Sequence, residues 1–136
     1  MTGRPRRCGW YDAVAVRYAV LINGLDAIAL TKLDVLDGLP ELQVCTAYRC
    51  HGKILKDMPS DTAQLAACEP VYETLQGWTA PTAGREHFDD LPREAKDYVA
   101  RLEKITGVPV AIVSTGSGRQ ETILRDGVLG GELAIR

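Results

Sequence analysis

The feature that most constrains the fold is a short apolar run, residues 27–30, which ends abruptly on Thr31, Lys32, Leu33 and Asp34. The run shows no alternation of polar and apolar residues, and such a strand suits a sheet covered on both faces, as in a parallel α/β protein. Ligands of open α/β sheets gather where strands end at their carboxyl edge. The polar residues after the run are therefore candidate site residues.

Lys32 and Asp34 are a suitable pair for reading a purine base. A carboxylate can accept two parallel N–H bonds from a guanine edge, while a lysine stem lies flat along the base. Hydrogen bonds to a charged acceptor contribute about 1.5–3 kcal/mol each, enough to favour guanine over adenine, which has no such donor pair. The alternative, for so short a motif, is an exposed strand end with a solvated salt bridge.

A second apolar run, residues 108–113, also ends on small polar residues, Ser114, Thr115 and Gly116. Two buried strands that finish in polar loops can frame one pocket at the same sheet edge, so we expect the two runs to meet there. Backbone N–H groups of a Ser/Gly loop can contact a base or a phosphate oxygen. A plain turn is the alternative for this loop considered alone.

Two helices are predicted beside these strands. Residues 10–23 are apolar around most of the helix circumference and are followed by Gly24 as a stop, which indicates a buried helix. Asp89 or Asp90 is predicted to cap a second helix with one apolar stripe, which ends at Gly107. Alternation of strands and helices is typical of the α/β class.

Residues 41–55 alternate with a period of two and predict a β-hairpin with its turn at His51 and Gly52. Residues 56–70 are expected to be irregular, and residues 71–75 to form a short strand. We therefore expect an α/β fold of three layers: a mostly parallel sheet flanked by helices, with a β-hairpin excursion.

Composition sets limits on the function. The 136 residues suit one domain, and 46% apolar with 25% charged residues is ordinary for a globular protein. No apolar run reaches the length of a membrane span and no signal-peptide pattern is present, so a cytoplasmic protein without a membrane partner is expected. The net charge of −2 implies no general attraction to nucleic acid.

Four cysteines, Cys8, Cys45, Cys50 and Cys68, are irregularly spaced. In a chain without a secretion signal, free thiols are the expectation. Cys45, Cys50 and His51 suggest zinc ligands, but no second pair at usable spacing follows, so no metal site is predicted.

The first seven residues form a basic loop that contains Arg4, Arg6 and Arg7. Guanidinium groups match phosphate and carboxylate oxygens bidentately, which suits this loop for binding such groups. A frayed terminus is the commoner fate of such a segment. A nucleic-acid arm is a third option, although aromatic residues are not interleaved with the arginines.

Four ordered motifs, at residues 2–12, 30–38, 72–78 and 107–116, resemble the C-terminal part of adenylosuccinate synthetases. They read Thr-Gly-Arg-Pro-Arg-Arg-Cys-Gly-Trp-Tyr-Asp, Leu-Thr-Lys-Leu-Asp-Val-Leu-Asp-Gly, Tyr-Glu-Thr-Leu-Gln-Gly-Trp and Gly-Val-Pro-Val-Ala-Ile-Val-Ser-Thr-Gly. That family joins IMP to L-aspartate with GTP and Mg²⁺. It first phosphorylates the purine 6-oxygen, and the aspartate amine then displaces the phosphate.

The resemblance implies roles for the residues of all but the third motif. Thr2, Gly3 and Arg4 match the aspartate-binding loop, Arg4 also matches a contact to the IMP ribose, and Arg6 matches an arginine that serves aspartate and GTP. The residues that match guanine-binding positions lie in the two strand-end loops: Lys32, Leu33, Asp34, Ser114, Thr115 and Gly116.

The chain departs from the family pattern in two places. Ser117 and Gly118 follow the last loop where the family usually has proline and an acidic residue, which implies a more flexible loop. Residues 127–136 also differ from the usual ending, so residues 1–126 are expected to be the family segment and 127–136 a divergent tail.

The glycine-rich phosphate loop, the acidic base that also binds magnesium and the histidine that assists phosphoryl transfer have no match here. The resemblance thus implies that the chain is an incomplete part of a larger α/β domain. We therefore predict no catalytic residue and no metal ligand in this chain, and expect its Mg²⁺ ligands in an N-terminal part of the enzyme. A homodimer is expected for the full-length family.

Three hypotheses follow. The first is a segment of the synthetase that binds GTP and aspartate in part. The second is an inactive stand-alone nucleotide-binding or interaction module derived from that fold. The third is a nucleic-acid binder that uses Arg4, Arg6 and Arg7, for which steep salt dependence is expected.

Overall fold

The structure is a computed structural model that describes residues 8–125 and residue 127. The predicted aspartate-loop residues Thr2, Gly3, Arg4 and Arg6 lie outside the described residues, as does nearly all of the predicted tail.

The described part of the chain contains three α-helices and seven strands, with three short 3-10 turns between them. The helices are α1 (Ala13–Asn23), α2 (Thr62–Ala66) and α3 (Arg93–Thr106). The strands are β1 (Tyr11–Asp12), β2 (Ile28–Leu30), β3 (Glu41–Cys50), β4 (Lys53–Leu55), β5 (Cys68–Gln76), β6 (Val110–Ser114) and β7 (Thr122–Leu124). Among these helices, none is long and apolar enough to cross a membrane.

The strands form two sheets. In one, β3 pairs in parallel with β1 and antiparallel with β4 and β5; in the other, β6 pairs in parallel with β2 and antiparallel with β7. The predicted α/β class is confirmed, but the sheets are mixed where one mostly parallel sheet was expected. The reason is that short connections bring consecutive strands back antiparallel, whereas parallel pairing needs a crossover.

The predicted hairpin is confirmed as β3 and β4. Its turn places His51 at a φ of 48° and Gly52 at a φ of 77°, and positive φ at both central residues is the geometry that matches the twist of a two-residue hairpin. In the segment predicted to be irregular, Asp61 accepts a hydrogen bond from the Ala63 N–H at 2.9 Å and caps the short helix α2.

Helix α1 begins later than predicted because Asp12 caps it. The Asp12 carboxylate accepts hydrogen bonds from the N–H groups of Val14 and Ala15, at 3.0 and 3.1 Å. The expectation of a helix buried all round is wrong for the described residues, since Leu21 is 80% exposed and Ile22 59% exposed. One side of α1 packs against α3 and β3, and Leu21 and Ile22 lie on its exposed side.

Helix α3 carries the predicted apolar stripe. Ala95, Val99 and Leu102 are completely buried, and the helix ends at Gly107, whose φ is 80°. The predicted cap is wrong: Asp89 and Asp90 lie in a separate 3-10 turn, and α3 starts after Pro92 without a side-chain cap.

The main core joins α3 to both sheets. It contains residues from each sheet, from α1 and α3 and from the loops between strands: Ala13, Leu33, Leu42, Val44, Trp78, Leu91, Ala95, Tyr98, Val99, Leu102, Val110, Val113 and Ile123. Arg101 on α3 also forms a two-pronged ion pair with Glu73 on β5, at 2.9 and 2.6 Å. The helix therefore fixes the position of one sheet relative to the other.

Candidate functional site

The two strands that were predicted to meet at one sheet edge do so. Strands β2 and β6 are parallel neighbours, with Leu30 opposite Val113. Their carboxyl ends therefore lie side by side, and the polar loops that follow them emerge together. The contact is direct, because the Lys32 N–H donates a hydrogen bond to the Ser114 Oγ at 2.8 Å.

Lys32 has an unusual backbone conformation, with φ 60° and ψ 47°. Non-glycine residues seldom adopt this left-handed region. Here the hydrogen bond to Ser114 stabilises this conformation of Lys32. The chain then enters a single 3-10 turn, Leu33–Leu36. Leu33 enters the main core and is only 1% exposed, so it anchors the loop on which Lys32 and Asp34 lie.

The Asp34 carboxylate has a buried oxygen without a partner. Its Oδ1 is one of two buried side-chain polar atoms in the described part of the chain that have no hydrogen-bond partner. Leaving a buried acceptor unsatisfied costs about 1–3 kcal/mol, more for a charged group. Such atoms are rare in native structures. Asp34 is also the residue whose carboxylate the sequence predicted to accept hydrogen bonds from the edge of a base.

Thr115 in the second loop is completely buried and braces the loop from inside. Its N–H donates to the Glu121 carbonyl at 2.8 Å, and its hydroxyl donates to the Arg85 carbonyl at 3.0 Å. The Thr115 side chain therefore faces the protein. The half-buried Ser114 and Gly116 and the exposed Ser117 and Gly118 form the surface of this loop.

Glu121 organises the same loop and was not singled out from the sequence. Its carboxylate accepts a hydrogen bond from the Gly118 N–H at 2.5 Å. It also occupies the space beside Gly116, where an added Cβ would lie 2.3 Å from the carboxylate carbon. Gly116 therefore leaves the space in which the Glu121 carboxylate packs against the loop. A more flexible loop was expected at Ser117 and Gly118, but the Gly118 N–H has an acceptor within the loop.

Asp37 ties the first loop to the rest of the protein. Its carboxylate accepts hydrogen bonds from the Trp78 indole N–H at 2.6 Å and from the Thr82 N–H and hydroxyl at 2.8 and 2.7 Å. Burial by itself raises the pKa of Asp37, but these hydrogen bonds outweigh it and hold the pKa below its usual value. The only signal in the sequence is the Asp-Gly pair at the end of the loop, which also suits an ordinary turn.

Removing the Asp37 carboxylate is expected to destabilise the fold. In Asp37→Ala the Trp78 indole and both Thr82 donors lose their acceptor, and we expect the free energy of unfolding to fall by about 3 kcal/mol. Because the folded-state pKa is depressed, the Asp37 contribution is complete above the unfolded pKa and is lost as pH falls through the folded pKa. Urea denaturation at pH 7 and at pH 3 measures both effects.

The exposed Asp57 provides a matched control for this experiment. Asp57→Ala is expected to change stability by less than about 0.5 kcal/mol at either pH. An Asp37→Ala variant as stable as Asp57→Ala at pH 7, or equally destabilised at pH 7 and pH 3, would contradict the role given to the Asp37 carboxylate.

A cleft of about 200 Å³ lies beside the first loop and is lined by Tyr11, Lys32, Leu33, Leu36 and Tyr98 among others. The Tyr11 hydroxyl is the second buried polar atom without a partner in the described part of the chain. Burial raises the pKa of Tyr11 to about 12, with a further contribution from the Asp12 charge. Tyr11 therefore keeps its proton and is available as a donor, a role that no sequence pattern indicated.

The cysteines and histidines do not gather into a metal centre within residues 8–125 and 127, where no cluster of three His, Cys, Asp or Glu side chains could hold an ion. Cys45 is buried and its thiol donates to the Ala47 carbonyl at 3.3 Å. His51 lies exposed on the hairpin turn.

Comparison with known proteins identifies the family. A family model described as adenylosuccinate synthetase matches residues 1–123. The adenylosuccinate synthetase of Halorhodospira halophila is 53% identical over 124 residues, covering 91% of this chain and 29% of the relative. That of Myxococcus xanthus is 56% identical over 123 residues, covering 90% and 28%.

A solved structure agrees with these sequence matches. The structure of fully ligated adenylosuccinate synthetase from Plasmodium falciparum superposes with a TM-score of 0.86 at 38% identity, over 91% of this chain and 30% of that one. The chain thus spans somewhat under a third of the length of the relatives that it matches. By sequence and by fold, this chain belongs to the adenylosuccinate synthetase family.

Proposed function

We propose that this chain supplies the guanine-recognition part of an enzyme that ligates IMP and L-aspartate at the expense of GTP. The observation that carries the proposal is the buried, unpartnered Asp34 Oδ1, at the edge where β2 and β6 end together. Family membership supports the identity of the nucleotide, and the chemistry of the carboxylate supports the choice of base.

Guanine presents two adjacent donors, N1–H and the 2-amino group, to the two oxygens of Asp34. The exposed Lys32 side chain extends along one face of the base, and Leu33 fixes the loop in the core. On the other side, Ser114 and Gly116 offer backbone groups to the base, while Thr115 holds that loop in shape through its two internal hydrogen bonds. A buried site built for these donors rejects a base that lacks them, because its acceptors would then remain unpaired.

The substrate side of the proposal rests on the resemblance. Thr2, Gly3 and Arg4 bind L-aspartate, Arg4 also reaches the IMP ribose, and Arg6 serves both aspartate and GTP. Arginine is suited to this work because its guanidinium fork matches carboxylate and phosphate oxygens.

The remaining parts of the reaction belong to the family's other two thirds. When bound, Mg²⁺ would neutralise the charge that develops on the phosphates during phosphoryl transfer. We assign its ligands and the catalytic residues to segments that have no counterpart in this chain. A homodimer and a cytoplasmic location are part of the same proposal.

An inactive stand-alone module is not favoured. The relatives that match this chain at about half identity carry the name of the synthetase, and all the residues that the resemblance matches to guanine-binding positions are present in the sequence.

Nucleotide discrimination by the full 136-residue chain tests the proposal. In ¹H–¹⁵N NMR titrations we expect GTP to bind more tightly than ITP, which lacks the 2-amino donor, and ATP to bind least, by about 10-fold or more at each step. The largest shifts are expected at Lys32 to Asp34 and Ser114 to Gly116. Equal binding of GTP and ATP, or shifts confined to other residues, would exclude this assignment.

A further inference from the structure

Cys50 and Cys68 lie opposite each other across an antiparallel strand pair. Cys50 ends β3, Cys68 begins β5, and the two residues are direct partners in the register. Directly opposed residues of antiparallel strands have Cα atoms about 4.5–5.5 Å apart. Disulfides form between Cα atoms about 4.4–6.8 Å apart. The backbone therefore already holds these two cysteines at bonding distance.

The side chains converge as well. Both thiols donate to the same acceptor, the Gln64 carbonyl of α2, at 3.7 Å from Cys50 and 3.2 Å from Cys68. The shared acceptor and the strand register independently place the two sulfur atoms close together. Both cysteines are free thiols.

Access from solvent differs between the two sulfurs. Cys68 is half-buried and lines an open cleft of about 250 Å³, together with Trp10, Leu65 and Tyr72. Cys50 is only 3% exposed. A small molecule that enters the cleft therefore meets Cys68 first, with Cys50 immediately behind it.

We propose that Cys50 and Cys68 form a dithiol site that reacts with a small-molecule disulfide and closes to an intramolecular disulfide. Deprotonated Cys68 attacks one sulfur of the small disulfide, breaks its S–S bond and releases one small thiolate. Deprotonated Cys50 then attacks the Cys68 sulfur of this mixed disulfide and releases the second thiolate. The two cysteines lose two electrons, the small disulfide gains them, and the two protons end on the released thiols.

The cross-link changes the chain locally. It joins the end of β3 to the start of β5 and closes a loop, residues 51–67, that contains β4 and α2. It also removes both S–H donors from the Gln64 carbonyl. Since a disulfide stabilises mainly by restricting the unfolded chain, oxidation is expected to raise the melting temperature by about 10 °C.

Desolvation raises the pKa of Cys68, and its hydrogen bond with Cys50 adds to this. Little thiolate is therefore present near neutral pH, and exchange is expected to be slow. Oxidised glutathione is a suitable probe, applied for several hours. The full chain carrying Cys8→Ser is used, because Cys8 is exposed and would otherwise link two chains.

Peptide mapping of the oxidised Cys8→Ser chain is expected to show a Cys50–Cys68 cross-link, with the melting temperature raised and restored by dithiothreitol. Adding Cys68→Ser should abolish both changes, and adding Cys50→Ser should leave a stable glutathione adduct on Cys68. A cross-link from Cys68 to Cys45, a lasting adduct on Cys68 with Cys50 present, or the same melting shift in the Cys68→Ser chain would overturn the proposal. None of these readouts depends on nucleotide binding.

Discussion

Replacing Asp34 by asparagine is expected to lower the affinity for GTP about 100-fold. The variant is expected to bind xanthosine triphosphate more tightly than it binds GTP. The carboxylate offers two acceptors to the two guanine donors. An asparagine amide offers one acceptor and one donor, so its NH₂ group opposes the guanine 2-amino group. Xanthine has a carbonyl at that position and an N1–H beside it, which matches the asparagine.

The measurement is competition between nucleotides for the full chain, with Asp26→Asn as the matched control. Asp26 is exposed and precedes β2, so this control removes the same charge from the same strand–loop unit. GTP affinity of Asp26→Asn is expected to equal that of the parent. If Asp34→Asn binds GTP as the parent does, or loses GTP and xanthosine triphosphate alike, Asp34 does not read the base.

The same substitution separates recognition from folding. Because Asp34 Oδ1 is buried without a partner, replacing the charged group by a neutral amide relieves a desolvation cost. We expect the melting temperature of Asp34→Asn to stay level or to rise, while guanine recognition is lost. A loss of GTP binding with an unchanged melting temperature therefore cannot be explained by unfolding.

Much of this site could be predicted because its signals are local. An apolar run that stops on Thr31 and Lys32 and a second run that stops on Ser114 are readable from short windows. A general rule about the carboxyl ends of strands then brings them to one edge. The structure confirms that juxtaposition through the hydrogen bond between Lys32 and Ser114.

The supports of the site could not be predicted, because they act between residues distant in sequence. Asp37 bonds to Thr82, and the Thr115 hydroxyl to the Arg85 carbonyl, across gaps that leave no periodic pattern. The exposed face of α1 was missed for a related reason. Apolar residues such as Leu21 and Ile22 indicate that a helix surface suits burial, but they do not show which element, if any, packs against that surface.

Gly77 is the position where the smallest substitution is expected to have the largest effect on stability. A Cβ there would lie 1.9 Å from the Leu39 carbonyl oxygen and 2.9 Å from the Pro40 carbonyl carbon. Both are backbone atoms, so no side-chain rotation can relieve the clash. The same contact carries two hydrogen bonds, from the Gly77 N–H to the Pro40 carbonyl at 2.9 Å and from the Gly38 N–H to the Trp78 carbonyl at 3.0 Å.

Gly77→Ala is therefore expected to force the two segments apart. The movement breaks these hydrogen bonds, draws Trp78 out of the core and displaces the Asp37 carboxylate that binds the Trp78 indole. We expect a loss of about 4 kcal/mol in the free energy of unfolding. That is a large part of the roughly 5–15 kcal/mol by which domains are usually stable. Urea denaturation followed by tryptophan fluorescence measures the loss.

Gly9→Ala is the matched control, because an added Cβ at Gly9 meets no atom within 4 Å and its φ lies outside the left-handed region. The free energy of unfolding of this control is expected to lie within about 0.5 kcal/mol of the parent value. If Gly77→Ala unfolds at the same urea concentration as Gly9→Ala, the close approach of Gly77 to the Leu39–Pro40 backbone does not exist in solution. The anchoring of the loop that carries Lys32 and Asp34 through Asp37 and Trp78 would then need another explanation, since that close approach holds Trp78 beside Asp37.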